Sequence, residues 1–281
     1  MYARCAESMK LVHRIGLRIS GEQRRELEAL GVAVPAGIAL PGAGDPLVAF
    51  EVDEDHPNWP ALQARFEEWK VSDTVTTEFS KDEVHTARWL ALTPEWHHGY
   101  PQPDEHEFGY REATYDLTRY CGQCGAGMTQ KAPFQMKGEP RWGKRGILQL
   151  HWVFDEFFTK PDIWANVFEP HGVSRRAVMN TRGAELQTAI QLVVHEEIDI
   201  QTEGLDFEVA ACSACGRTKY LPPTRGRFPA LVNEPSSAIA RTRQYFGSGA
   251  SAHRRVLVSQ VLARELAASK VRGVSLWPVE E

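Results

Sequence analysis

The first third of the chain switches between two hydrophobic periods. Residues 11–19 (LVHRIGLRI) set Leu11, Ile15, Leu17 and Ile19 on one side, the two-residue repeat of a half-buried strand. Ser20 and Gln23 then form a capping-box pattern, and Gly31 stops a short helix after Leu27 and Leu30. Gly and Pro punctuate residues 31–46, which read as loop, before a second strand at 47–52 (LVAFEV). Trp59, Leu62, Phe66 and Trp69 share one helical face, with Asn58 placed to cap it. Residues 71–79 alternate again as a strand, Ser80 and Glu83 start another short helix, and residues 89–92 read as buried. The chain up to residue 95 is thus an α/β layer with its own core.

Residues 93–110 (TPEWHHGYPQPDEHEFGY) break the pattern with prolines, aromatics, acids and His97, His98 and His106, and read as a surface loop, either a solvated linker or a partner contact, with no spacing that suits a second metal site. Beyond it, 113–120 reads as a strand and 125–146 as an arm rich in Gly and Lys. Residues 147–154 (ILQLHWVF) are apolar on both faces and predict one central strand, with His151 a hydrogen-bonded core histidine. Thr159 and Pro161 open a helix carrying Ile163, Trp164, Val167 and Phe168, which ends at Gly172. Strands follow at 173–179, 188–194, 205–211 and 217–221, then a long segment over 222–253. Val258, Val261, Leu262 and Leu266 mark a last helix, and 273–279 a closing strand.

Composition changes this picture little, and charge changes it more. The 281 residues are 42% hydrophobic and 25% charged, ordinary for a globular protein. No apolar run is long enough to span a membrane, and the N-terminus lacks the apolar stretch of a secretory signal, so the cytoplasm is the expected location. Met9 is as good a start as Met1, which would make residues 1–8 an extension with Cys5 a free surface thiol. The net charge of −5 is unevenly spread. Residues 1–120 hold 21 acidic and 12 basic side chains, and the remainder 16 acidic and 20 basic. Two regions are therefore expected, 1–112 and 113–281, the first favouring basic partners.

The strongest chemical signal is a doubled motif. Cys121-Gly122-Gln123-Cys124-Gly125 and Cys212-Ser213-Ala214-Cys215-Gly216 are both CxxC followed by glycine. Two such turns supply four thiolates, the donor set of a tetrahedral structural zinc with no position left for substrate. Cys121, Cys124, Cys212 and Cys215 are therefore the expected zinc ligands, clamping both ends of a long insertion in a zinc-ribbon-like layout. A redox CxxC is the rival reading, disfavoured because neither pair opens a helix. The fold class expected is α+β: mixed sheets with short helices, an α/β region followed by an α+β region held by the four-cysteine site.

No nucleophile elbow, P-loop, dinucleotide fingerprint or HExxH motif occurs, so no catalytic residue and no small-molecule substrate is expected. The turn Gly247-Ser248-Gly249 has arginines nearby but reads as loop rather than phosphate site, and His195-Glu196-Glu197 as a solvated strand face with Glu196 opposite the other two.

Several stretches carry a family resemblance. The doubled CxxCG, residues 152–164 (WVFDEFFTKPDIW), 192–200 (LVVHEEIDI), 212–222 (CSACGRTKYLP) and the tail 241–274 resemble the double-CXXCG-motif immunity proteins, bacterial antitoxins to toxins delivered by cell contact. The resemblance covers residues 110–279 well and the first 90 only loosely. It implies a cytoplasmic, non-enzymatic protein that binds and blocks one cognate toxin. The alternative is a nucleic-acid-binding zinc-ribbon protein, supported by the basic second half and opposed by a pI of about 6.1.

Overall fold

A computed structural model of the chain describes residues 9–39, 41–42, 44–104, 108–203 and 209–281. Cys5, His106 and the start of the strand expected at 205–211 lie outside the described residues. The protein is mixed α+β, with several sheets and short helices. It forms two compact units. The first runs to Glu83 and takes back Pro223–Arg227, and the second comprises Val84–Pro222 and Phe228–Glu281. The division falls at Glu83 rather than at 112, because the strand Trp89–Pro94 pairs with strands from the chain's end.

The first unit contains β1 (Lys10–Arg18), α1 (Gly21–Ala29), β2 (Leu47–Asp53), α2 (Trp59–Trp69) and β3 (Ser72–Glu78). Its antiparallel sheet has the order β2-β1-β3. The register sets Ile15 opposite Phe50 and Leu17 opposite Val48, and these residues form a core with Leu27, Leu62 and Phe66 from the two helices. Ser20 and Gln23 complete both bonds of a capping box. Asn58 does not cap α2; its side chain donates to Leu30 O at 2.9 Å instead. The returning segment is fastened by Thr77, which donates to Thr224 O and accepts from Gly226 N–H, both at 3.0 Å, and by an Arg225–Glu54 ion pair at 2.5 Å. His13 is buried between Glu54 and Asp73, at 2.7 and 2.8 Å.

The second unit is entered through α3 (Lys81–Thr86), whose Ser80–Glu83 box is also complete. Its further elements are β4 (Trp89–Pro94), α4 (Tyr110–Thr114), β5 (Tyr115–Asp116), β6 (Thr129–Gln130), β7 (Gln135–Met136), β8 (Ile147–Leu150), β9 (Val153–Thr159), α5 (Pro161–Ile163), β10 (Ser174–Asn180), β11 (Glu185–Val193), β12 (Glu197–Ile198), β13 (Val209–Ala211), β14 (Thr218–Tyr220), β15 (Ile239–Thr242), β16 (Tyr245–Phe246), β17 (Val256–Ser259), α6 (Gln260–Ala268) and β18 (Val274–Pro278). Among the described residues these make two five-stranded sheets, β7-β10-β11-β9-β8 and β12-β15-β17-β4-β18, with a three-stranded β13-β14-β16 and the hairpin β5-β6. One core joins the two larger sheets, from Leu90, Leu92, Ile147, Phe157, Ile190, Leu192 and Val258 with Leu262 and Leu266 of α6.

Four expectations are corrected here. The single strand over 147–154 is a hairpin: His151 and Trp152 make the turn between β8 and β9, and Trp152 takes a left-handed φ of 67°. The run is apolar on both faces because each strand is buried, which hides the turn from a periodicity argument. Thr159 closes β9, donating to Gly146 O at 2.8 Å, and so does not cap a helix. The strand expected over 113–120 shrinks to β5, because Asp116 accepts from Thr118 N–H and turns the chain. At the chain's end Ser259 caps α6, so Val258 belongs to β17, and Val261 is exposed.

β4 sits between β17 and β18, and Leu90 is wholly buried. Leu90→Ala is expected to lower the unfolding free energy by about 2–5 kcal/mol. A urea titration followed by circular dichroism measures this, and an unchanged midpoint would contradict the central place of β4.

Candidate metal centre

The two CxxCG turns fold by the same local rules. In the first, Gly125 N–H donates to Cys121 O at 2.7 Å and Cys121 N–H to Ala126 O at 2.9 Å. In the second, Gly216 N–H donates to Cys212 O at 2.8 Å and Cys212 N–H to Arg217 O at 2.9 Å. Each turn needs a residue with φ > 0 after the second cysteine, and Gly125 (84°) and Gly216 (71°) provide it. Each also lies between paired antiparallel strands, β5 with β6 and β13 with β14.

The turns face one another. Cys121 Sγ lies 3.8 Å from Cys212 Sγ, Cys124 Sγ lies 3.7 Å from Cys215 Sγ, and all four sulfurs are within 4.8 Å of each other. These separations are too long for disulfides. They match the edge of a tetrahedron of sulfurs about 2.3 Å from a central ion. The four cysteines could hold a metal ion, and they are the one such donor group among the described residues. Gln123 bridges the turns by donating to Ser213 Oγ at 2.9 Å. Beneath them Lys219, only 6% exposed, donates to Cys124 O, Gly249 O and Ser251 O at 2.6–2.9 Å. A buried ammonium must be met by acceptors, and these three fix the second turn to the first.

Backbone N–H groups, that of Cys124 foremost, pull the Cys121 thiol down to about 6, whereas burial pushes Cys124 up to about 11. A divalent cation would favour the thiolate at all four sulfurs.

The other residues singled out from sequence fall in varied places. The 247–249 turn is a buttress whose carbonyls face Lys219, so it offers acceptors where a phosphate needs donors. Glu196 accepts from Ser236 and Ser237, opposite to His195 and Glu197, as strand alternation requires. His195 and Glu197 are both exposed, as a solvated face requires, and they also border a cavity of about 260 Å³. His97 and His151 stack on each other at 5.4 Å, so His151 belongs to the surface loop rather than to the core. His98 N–H donates to Gln149 O. Burial lowers the pKa of both His97 and His98.

The sequence reading passed over two sets of residues. One is the rest of the cavity lining, above all Asp155, Glu156, Gln191 and Arg241. The other is the hairpin tip, where Trp152 and Phe154 are both 38% exposed. The doubled carboxylate at 155–156 was the available signal for the first, and an odd break in a run of apolar residues for the second.

Among the described residues no helix is long and apolar enough to cross a membrane. In comparison with known proteins, the chain matches no family model, no curated protein and no solved structure.

Two measurements check this geometry. A Cβ on Gly125 would stand 2.3 Å from Ala250 O, whereas one on Gly216 meets nothing within 4 Å. Gly216→Ala then carries only the left-handed backbone cost of about 1–2 kcal/mol. Gly125→Ala is expected to melt clearly lower, and equal melting temperatures would refute the packing of the first turn. Beside the centre, burial and then Arg255 push His253 from 6.5 to about 4. The unfolded chain binds a proton there that the folded chain refuses, so stability should fall as pH drops from about 6.5 to about 4, by roughly 2–3 kcal/mol. His253→Asn should flatten that slope in denaturant titrations across the same range.

Proposed function

We propose that the chain is a non-enzymatic immunity protein of the double-CXXCG kind, which binds and blocks a cognate protein toxin in the cytoplasm and is stabilised by structural zinc. Cys121, Cys124, Cys212 and Cys215 would hold the ion, and the sulfur separations of 3.7 and 3.8 Å suit zinc thiolate. With four protein ligands the ion has no open position, so what it supplies is cross-linking.

The observation that carries the binding role is the aromatic surface at the tip of the β8–β9 hairpin. Tyr100, Trp152 and Phe154 are 46%, 38% and 38% exposed. Tyr100 packs 4.4 Å from Trp152, Phe108 lies 4.7 Å from the same ring, and Arg111 sits 4.0 Å above Phe108. Grouped, half-exposed aromatic rings beside an arginine have the composition of an interaction hot spot. A bulky residue in the left-handed region costs about 1–2 kcal/mol, and Trp152 bears it while presenting its ring outward. The surface draws on the aromatic-rich loop at 93–110, and the acidic first unit would speed encounter with a basic toxin.

The nucleic-acid alternative gains little support from the arginines on which it rested. Of the seven arginines between 217 and 255, five, Arg225, Arg227, Arg241, Arg243 and Arg254, are engaged by a carboxylate, of Glu54, Glu83, Glu156, Asp199 and Glu197 respectively. Arginines already neutralised release few counterions from a phosphate backbone.

Co-expression with the neighbouring reading frame tests the proposal. The expected result is a toxic neighbour whose toxicity this chain suppresses and with which it co-purifies. Combined Tyr100→Ala and Trp152→Ala should weaken the complex by about 3 kcal/mol or more with the fold retained. A harmless neighbour, or a complex indifferent to both substitutions, would refute it. Metal analysis should find stoichiometric zinc in the wild type and its loss in Cys212→Ser, together with unfolding of the second unit. A wild-type protein free of metal and equally stable would end the zinc reading.

A further inference from the structure

The cavity beside the metal centre lies at the junction of β9, β11, β12, β15 and the first cysteine turn, and has a volume of about 260 Å³. Its floor is a polar row in otherwise apolar strands. Arg176 on β10 stands directly opposite Gln191 on β11. Gln191 donates to Glu156 at 2.8 Å and to Gln130 at 2.7 Å, and Glu156 accepts from Arg241 at 3.0 Å. Glu156, Gln191 and Arg241 are 5%, 1% and 8% exposed. Replacing a buried ion pair by apolar side chains is often neutral or stabilising, so fold stability alone does not account for this row.

Two details show that the cavity is built to meet polar groups. Asp155 and Glu156 are adjacent in a strand yet line the same space. Regular alternation would send them to opposite faces. The β8–β9 register shifts between Leu148 and Leu150, which bulges β9 at this point and re-aims one carboxylate. The lining also keeps unused hydrogen-bonding capacity. Arg241 Nε and Arg254 Nε are buried with no partner. Asp155, Arg176 and the Tyr115 hydroxyl have neither hydrogen bond nor ion pair among the described residues, and Tyr115 is 6% exposed.

The charges identify the class of ligand. The lining carries Asp155, Glu156 and Glu197 against Arg176, Arg241 and Arg254. Glu156 is matched to Arg241, and Glu197 to Arg254. What remains without a directly bonded partner is one carboxylate, Asp155, which the Arg241 charge attracts from a distance, and one guanidinium, Arg176. We propose that this cavity is a binding site for a small zwitterion of amino-acid size, its ammonium on Asp155 and Tyr115 and its carboxylate on Arg176. The volume lies just below the roughly 300–1,000 Å³ of pockets for drug-sized ligands, as a smaller metabolite requires. A lone anion would leave Asp155 facing it, and a lone cation would meet Arg176. The site is separate from the aromatic tip and does not depend on the toxin reading.

The full-length, metal-loaded protein tests this directly. Each proteinogenic L-amino acid is screened by thermal shift, and those that stabilise are titrated by calorimetry alongside their N-acetyl and methyl-ester derivatives. At least one amino acid should bind, and each capped derivative should bind about tenfold or more weakly, as expected for loss of a charged hydrogen bond. Asp155→Asn should weaken the free amino acid and leave the N-acetyl form unaffected. Arg176→Gln should weaken the free amino acid and leave the ester unaffected. Absence of binding by any amino acid, or equal affinity of free and capped forms for the wild type, overturns the proposal. The wild-type comparison of free with capped ligands decides the matter even where a variant fails to fold.

Discussion

The second unit depends on a contact between two turns that are far apart in sequence. Cys124 and Cys212 bracket the whole sheet β7-β10-β11-β9-β8 together with β12. With an ion held by the four sulfurs, the crosslink removes closure entropy from the unfolded chain, on the order of 4–5 kcal/mol for a loop approaching 100 residues. Lys219 makes a second fastening that needs no metal. Its three carbonyl partners belong to the first cysteine turn and the 249–251 loop, while the lysine itself extends from the strand after the second turn. The ion would join the sulfurs and the lysine joins the backbones behind them, so neither turn can rotate away alone.

The clamp also shapes the space next to it. Gly125 and Gly127 form part of the cavity wall, as do Tyr245 and Ala252, which pack with the cysteines. Gly127 approaches so closely that a Cβ would lie 2.1 Å from Arg119 O. A side chain at either glycine would push the turn off its neighbours and disturb the wall. Gly125 therefore serves two demands, the left-handed turn after the first CxxC and the close approach to Ala250 O.

Local rules made much of the fold legible, and the remainder is non-local. The capping boxes at Ser20 and Ser80 and the alternation in β1 and β2 are short-range patterns, and they appear where they were expected. The four cysteines were legible because thiols are scarce and their spacing is constrained by metal geometry. The turn at His151 and Trp152 was not, since neither residue is a customary turn former and the flanking positions are apolar on both sides. The cavity was illegible for a different reason. Its groups come from separate strands, Asp155 and Glu156 from β9, Gln191 from β11, Glu197 from β12 and Arg241 from β15. Each alone reads as a polar surface residue. Only the sheet order and one bulge bring them together.

β9 connects these features. Phe154 reaches the aromatic tip, Asp155 and Glu156 reach the cavity, and Phe157 and Phe158 fill two different cores. A strand so used cannot slide by one residue without misplacing all of them. What prevents sliding is the pairing at its far end, Ile190 and Ile147 both opposite Thr159, together with the bond from Thr159 to Gly146 O. The bulge nearer the tip then absorbs the mismatch with β8. Rigid pairing at one end and irregular backbone at the other put the polar and aromatic groups on the less constrained half of the strand. Ligand contact at the cavity would thus act on the same backbone that presents Phe154. Residues 154–156 join the two surfaces along one strand, and Tyr110 joins them a second time, through its ring contacts with Trp152 at the tip and Tyr115 in the cavity wall.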